Sequence, residues 1–390
     1  MNPNPRKKGI QKLLIIHTGA DKCASSSLQQ SLGELNKYCP ELQNFHFLKN
    51  NSLVKRNDNE SEKKNKITAI KKIFEERSSD TIIVSNEGLI GESLPSLPLL
   101  CKIAIEDYCF NKVLITMYSR SPASHAISSY HQWHFRNRET LKNDINISER
   151  AGFNSDLLSP LERRLIAMTS KHQYRNWNNI IQNIKNKISQ FGEKVELLSQ
   201  HIPTKRSKYS LLNHFFESTM IKERYKNIQL SKFDKRSNER FSDELTHAIS
   251  IMLCEDRYSG SFIPGPHESN QFLHSLSLVL KSAKNNSKED LNEAYENCQD
   301  TLDFLSFTLD ELAREGSMRY CEEFGIEPCL FFHLASQNSI TTIEHIKEIS
   351  AARDKNSISD YNNDCICRVS KAYKKLSNHA PWMKLAKKLT

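Results

Sequence analysis

No apolar run in this 390-residue chain approaches the roughly 20 residues a helix needs to cross a bilayer; near the start the longest is Leu13-Leu14-Ile15-Ile16. The basic opening MNPNPRKK followed by LLIIHTGA is too short, and too soon broken, to read as a signal peptide. The ten cysteines include no CxxC pair and lie close together only at Cys365 and Cys367, so neither a disulfide framework nor a zinc site is indicated and no metal ligand is assigned. Internal repeats and long low-complexity tracts are missing too. The net charge of +9 is spread along the chain and never massed in one block, so charge alone gives no case for nucleic acid as a partner. What remains is a chain with 38% hydrophobic and 26% charged residues, long enough to bury a large core. The default expectation is a cytoplasmic enzyme with no transmembrane segment.

Strand and helix signals alternate over the first half. A strand near 12–17 enters a helix near 24–37, and the polar stretch 49–66 reads as a solvated loop or helix face. TIIVSNEGL at 81–89 is a buried strand ending in polar groups, followed by an apolar helix near 97–109. KVLITMYSR at 112–120 is the next strand, after which Ser121 caps a helix opened by Pro122. Residues 161–190 read as helical, and KVELLS at 194–199 as a further strand. This alternation predicts an α/β layer structure with a mostly parallel sheet. Beyond about residue 205 only helical periodicity persists, over 210–226, 241–255, 268–284, 288–315, 317–324 and 339–353. The Gly- and Pro-bearing stretch 258–270 suggests a boundary, hence domains 1–265 (α/β) and 266–390 (mainly helical extension).

The chemistry concentrates where strands hand over to helices, since ligands of open α/β sheets bind beyond the carboxyl ends of the strands. HTGADKCASSS at 17–27 puts Lys22 in a loop and Ser25, Ser26 and Ser27 in the first helical turn. Backbone N–H groups, hydroxyls and a lysine together suit a phosphate dianion; a serine-rich N-cap beside a solvated lysine is the competing reading. The loop is not a Walker A motif, because lysine comes three residues after Gly19 and no second glycine appears. A second anion site is suggested by Arg120 at the end of a strand and Ser128 eight residues on: an arginine fork grips a phosphate in two-point fashion, and a serine two turns along can face the same pocket. The alternative is an Arg120 that pairs with a surface carboxylate.

These segments resemble the PAPS-dependent sulfotransferases, in particular the bacterial and carbohydrate-type branch. Its 5′-phosphosulfate loop runs roughly H-x-G-x-x-K-[TS]-G-[TS]-[TS]-S-[LI]-Q. His17, Gly19, Lys22, Ser25, Ser26, Ser27, Leu28 and Gln29 fall in register, while Cys23 and Ala24 stand where the pattern has a hydroxyl residue and a glycine. Arg120 and Ser128 match the family's 3′-phosphate motif. The likeness covers roughly residues 10–255, with specific motifs confined to 17–29 and 120–128. It implies a P-loop-NTPase-like three-layer sandwich. It also implies 3′-phosphoadenosine 5′-phosphosulfate (PAPS) as sulfuryl donor, 3′-phosphoadenosine 5′-phosphate as product, no required metal, and a hydroxyl or amine acceptor on a sugar or polysaccharide.

On that resemblance Gly19, Lys22, Ser25, Ser26 and Ser27 hold the 5′ phosphate, Arg120 and Ser128 hold the 3′ phosphate, and Lys22 stabilises charge on the departing group. The strand between the two motifs often carries the family's base, which points to Glu87, with His17 as runner-up. Capping of the next helix, or pairing with Lys22, are the other roles open to Glu87. His131 and His134 lie one turn apart on the helix after Arg120, and Trp133, Tyr174 and Trp177 are rings that can stack on adenine. Two rivals stand beside the sulfotransferase: a non-catalytic protein of that type binding a nucleotide or an anionic glycan, and a nucleotide-dependent kinase. A homo-oligomer is left open.

Overall fold

Parallel strands covered on both faces must be apolar almost throughout. That is the character of Leu13–His17 (β1) and Thr81–Ser85 (β3), in which every residue is buried. In the computed structural model, which describes residues 12–38, 45–48, 52–75, 80–170, 176–202, 210–222, 228–234, 241–254, 270–284, 292–327 and 343–377, the other strands are Phe45–Phe47 (β2), Lys112–Ser119 (β4) and Val195–His201 (β5). The helices are Ser25–Tyr38 (α1), Glu60–Glu75 (α2), Ser96–Lys102 (α3), Pro122–Tyr130 (α4), Arg138–Arg150 (α5), Pro160–Thr169 (α6) and Trp177–Ile188 (α7). Leu211–Ser218 (α8), Asp243–Cys254 (α9), Asn270–Lys284 (α10), Asn292–Phe324 (α11), Ile343–Ala351 (α12) and Lys355–Ser377 (α13) follow.

The five strands form one all-parallel sheet in the order β2-β3-β1-β4-β5. The predicted α/β class with a parallel sheet is therefore present. Crossovers between parallel strands are right-handed, so the step from β1 out to β2 lays α1 on one face, while the steps β2 to β3, β3 to β4 and β4 to β5 run the opposite way and lay α2, α3 and α7 on the other. The packing agrees: α3 lies against α7, and α1 against α8 and the 3₁₀ turn Leu230–Phe233.

The chain divides into two compact units, each assembled from three stretches. The first comprises Met1–Arg120, Asn176–Asn238 and Gly316–Phe331, and holds the sheet. The second comprises Ser121–Arg175, Glu239–Glu315 and Phe332–Thr390, and its regular elements among the described residues are all helices. Its core gathers Phe135, Phe241, Leu245, Leu276, Ile366 and Val369 from four stretches far apart in sequence. It also contains a buried ion pair in which both Arg353 Nη groups reach Glu162 (2.7 and 3.1 Å), whose carboxylate in turn accepts from the Ser159 N–H at the cap of α6. The expected boundary between 1–265 and 266–390 lies outside the described residues.

Several element limits differ from the sequence expectation. The helical stretch 161–190 is two helices, α6 and α7. The expected segments 288–315 and 317–324 are joined in one helix over their described residues from Asn292, since an isolated Gly316 costs only about 1 kcal/mol and does not stop it. The stretch 210–226 is cut short at Ser218, and Met220 just beyond turns left-handed with φ 55°. β2, at three residues, and α13 were not expected at all.

Ile15 is fully buried at the centre of β1. Ile15→Ala is expected to lower unfolding stability by about 2–5 kcal/mol in denaturant titration, whereas Lys64→Ala on the exposed side of α2 should stay within about 0.5 kcal/mol.

Candidate functional site

The sheet order defines where a ligand can enter. The connection leaving β1 heads toward the β2 edge and that leaving β4 heads toward the β5 edge, so a crevice opens between their carboxyl ends. The loop after β1 and Arg120 after β4 both sit at these ends, within the first unit.

The loop is tightly bent. Gly19 has φ 32°, and a Cβ there would stand 2.2 Å from Ser25 Oγ and 2.9 Å from His17 Cε1, so only glycine fits. Lys22 and Ala24 each have φ 62°, a left-handed conformation that costs a residue with a Cβ about 1–2 kcal/mol. Two such residues within three positions make this the most strained stretch of backbone among the described residues. The bends deliver Ser25 to the start of α1, where the first N–H groups lack intrahelical acceptors. Ser25 is buried and its Oγ donates to the Ala20 carbonyl at 3.0 Å, while Ser26 and Ser27 are half-buried.

β3 brings Glu87 to the same place. Asn86 caps the 3₁₀ turn Glu87–Ile90 by accepting from the Gly88 N–H at 2.6 Å, so capping is not the task of Glu87. Its carboxylate lies against Ser25 and within electrostatic reach of Lys22 and Asp21. Burial pushes the Glu87 carboxyl above the ordinary carboxylate range, opposed by the Lys22 charge and the Ser25 hydroxyl and assisted by Asp21.

Arg120 is the main cation on the β4 side. Its guanidinium is largely buried, which lowers its pKa, and it lies within electrostatic reach of Cys23 in the loop. No carboxylate pairs with it among the described residues. The backbone that carries it is held from behind. The Trp177 Nε1–H donates to the Arg120 carbonyl at 3.1 Å, and Trp177 stacks on Tyr320 with centroids 6.0 Å apart. The Tyr320 hydroxyl donates to Ser119 Oγ at 2.5 Å and meets Ser199 Oγ at 2.6 Å, tying the ends of β4 and β5 to the last turns of α11. Sequence reasoning missed Tyr320, and no local pattern marks it.

His17 ends β1 fully buried, with Nδ1 2.8 Å from Ser85 Oγ and its ring edge-on to Tyr118 and Phe215. Burial pulls its pKa down to about 3, so the imidazole is neutral at physiological pH. Gly19, Lys22, Ser25, Glu87 and Arg120 thus meet at one end of the sheet, over His17. Ser128 lies half-buried on α4 in the second unit. His131 is buried against Asp243 (3.4 Å), and His134 Nε2 bonds Arg164 at 3.1 Å. Among the described residues no group of three side chains could hold a metal ion. Trp177 is spent on packing, Trp133 is exposed in the second unit, and Tyr174 lies outside the described residues. No helix among the described residues is long and apolar enough to cross a membrane. Comparison with protein-family models, curated proteins and solved structures gave no match.

Two outcomes follow for the free protein. Ala24→Gly should raise unfolding stability by about 0.5–1 kcal/mol, the relief of left-handed strain less the added chain entropy. Because the Glu87 pKa is raised on folding, the native state binds more protons than the unfolded chain just above the ordinary carboxylate pKa, and this group costs stability as pH rises through that window. Glu87→Gln should therefore flatten that part of the stability–pH curve and stabilise the protein at neutral pH, as read by thermal unfolding between acid and neutral pH.

Proposed function

We propose that the chain is a sulfotransferase that uses PAPS, with a P-loop-like arrangement of β1, loop and α1. The observation that carries the reading is Arg120: a desolvated guanidinium with no carboxylate partner among the described residues, at the same crevice as a serine-rich helix start and Lys22. A buried charge without compensation is costly, and a bound phosphate removes that cost with charge-assisted hydrogen bonds. The residues present fit a ligand with two separated anionic groups, one on the loop and one on Arg120. Bound there, PAPS would supply an activated sulfuryl group.

This chain's own residues then divide the work. Ser25, Ser26 and the first N–H groups of α1 bind the 5′ phosphate, and Arg120 binds the 3′ phosphate; the part of Ser128 rests on the resemblance alone. Lys22 stabilises negative charge on the departing phosphate oxygen. Glu87, its pKa raised by burial, accepts the proton of the acceptor hydroxyl as that oxygen bonds sulfur and the bond from sulfur to the phosphate oxygen breaks. A sugar or polysaccharide acceptor follows from the branch resembled. A second reading, a non-catalytic protein of the same type binding a nucleotide or an anionic glycan, draws on Ala24, whose Cβ and left-handed φ stand where the pattern has glycine. Binding of 3′-phosphoadenosine 5′-phosphate with no transfer to any sugar hydroxyl would favour it.

Calorimetric titration separates these readings from a kinase. The wild type should prefer 3′-phosphoadenosine 5′-phosphate over adenosine 5′-phosphate, and Arg120→Ala should erase that preference with a loss of about 30-fold, or about 2 kcal/mol. Lys22→Ala should depress transfer more than binding. Equal binding of both nucleotides by the wild type would sink the sulfotransferase reading and bring the kinase forward.

A further inference from the structure

The floor of the loop holds a polar chain that the proposed function does not use. Gln29, on α1, donates from Nε2 to Ser85 Oγ at 2.9 Å, and Ser85 Oγ is 2.8 Å from His17 Nδ1. Ser85 is fully buried, and its hydroxyl has one proton to give. Having accepted from Gln29, it finds no other acceptor than His17 Nδ1 among the described residues. Donation to Nδ1 makes that nitrogen the bare one and puts the ring proton on Nε2. His17 Nε2 is itself buried and has no hydrogen-bond partner among the described residues. The Cε1 edge of the ring, which joins Nδ1 to Nε2, packs directly under Gly19, where an added Cβ would be only 2.9 Å away.

A buried N–H without an acceptor costs about as much as a lost hydrogen bond, and few native structures keep one without a reason. We infer that His17 Nε2–H is a built-in donor to an oxyanion seated in the loop, and that Gln29 and Ser85 are positioning residues that fix its tautomer. The ligand class is a tetrahedral oxyanion, either phosphate or sulfate, free or as part of a nucleotide. The neutral ring suits this role better than proton transfer, because a donor that never titrates in the working range keeps its proton whatever the ligand does. This inference rests on the loop being an anion site, not on the 3′-phosphate assignment or on sulfuryl transfer.

The tautomer can be read directly. Long-range proton–nitrogen NMR on the full chain with its 14 histidines labelled should show a histidine in the Nε2–H form that stays neutral well into acid, identified by the change at that signal in Ser85→Ala. Inorganic phosphate is the first probe and 3′-phosphoadenosine 5′-phosphate the second. Either should move the Nε2–H proton, and Ser85→Ala, with its thermal midpoint checked for folding, should bind phosphate about tenfold more weakly or worse. An Nδ1–H tautomer, absence of phosphate binding, or binding that leaves the Nε2–H proton unmoved would overturn the inference. If the nucleotide binds with 3′ preference and the proton does not move, the sulfotransferase reading survives and this one falls. If phosphate moves the proton but the two nucleotides bind alike, the reverse holds.

Discussion

The register between β1 and its two neighbours is the constraint on which the rest of the site depends. His17 pairs with Ser85 on one side and Thr116 on the other, so the last residue of β1 is level with the last residue of β3 and close to the end of β4. Glu87 follows Ser85 by two residues and Arg120 follows Thr116 by four, so one alignment delivers a carboxylate, a guanidinium and the serine loop to a common edge. A slip of one residue would turn every side chain to the opposite face of the sheet and dismantle all three at once. Leu14, Ile15 and Ile16 are all buried, and close packing resists a slip that would exchange differently shaped side chains between the two faces.

Electrostatics at that edge are left incomplete in a particular sense. The fold surrounds Arg120 with Trp177, Tyr320 and hydroxyl groups, which secure its backbone without offering a counter-charge. Glu87 does feel Lys22, yet burial outweighs that attraction and raises its pKa. A structural ion-pair network would drive both partners toward their charged forms. Here burial shifts both Arg120 and Glu87 toward neutrality.

Four of the five strands were legible in the sequence: β1, β3 and β4 as apolar runs buried on both faces, and β5, only partly buried, as the short run KVELLS after a turn. β2 was not, since three residues carry no period. The loop, Glu87 and Arg120 were legible because each follows its strand within a few residues, and the Ser121 cap is likewise local. Tyr320 was out of reach for the opposite reason: its partners Ser199 and Ser119 are 121 and 201 positions away. The same holds for the compact units, each woven from three separated stretches. The helix Lys355–Ser377 was overlooked although Cys365, Ile366, Val369, Ala372 and Leu376 recur at helical spacing and pack against α9 and α10.

The departures of Cys23 and Ala24 from the resembled pattern gain meaning from the backbone. Ala24 occupies the left-handed conformation that explains why a glycine stands there in the pattern, so the loop keeps its path and carries the strain. Cys23 is fully buried between the loop and the Arg120 and Tyr320 side, where a sulfur fills space that a hydroxyl would need to satisfy with a hydrogen bond. The two replacements therefore cost different things: one adds backbone strain, and the other, on the proposed function, removes a donor from the anion's surroundings. A neutral Nε2–H from below the loop supplies a donor of the kind the cysteine no longer provides. On this view the floor of the site compensates for its rim, and the chain reaches a phosphate cradle with fewer hydroxyls and glycines than the pattern it resembles.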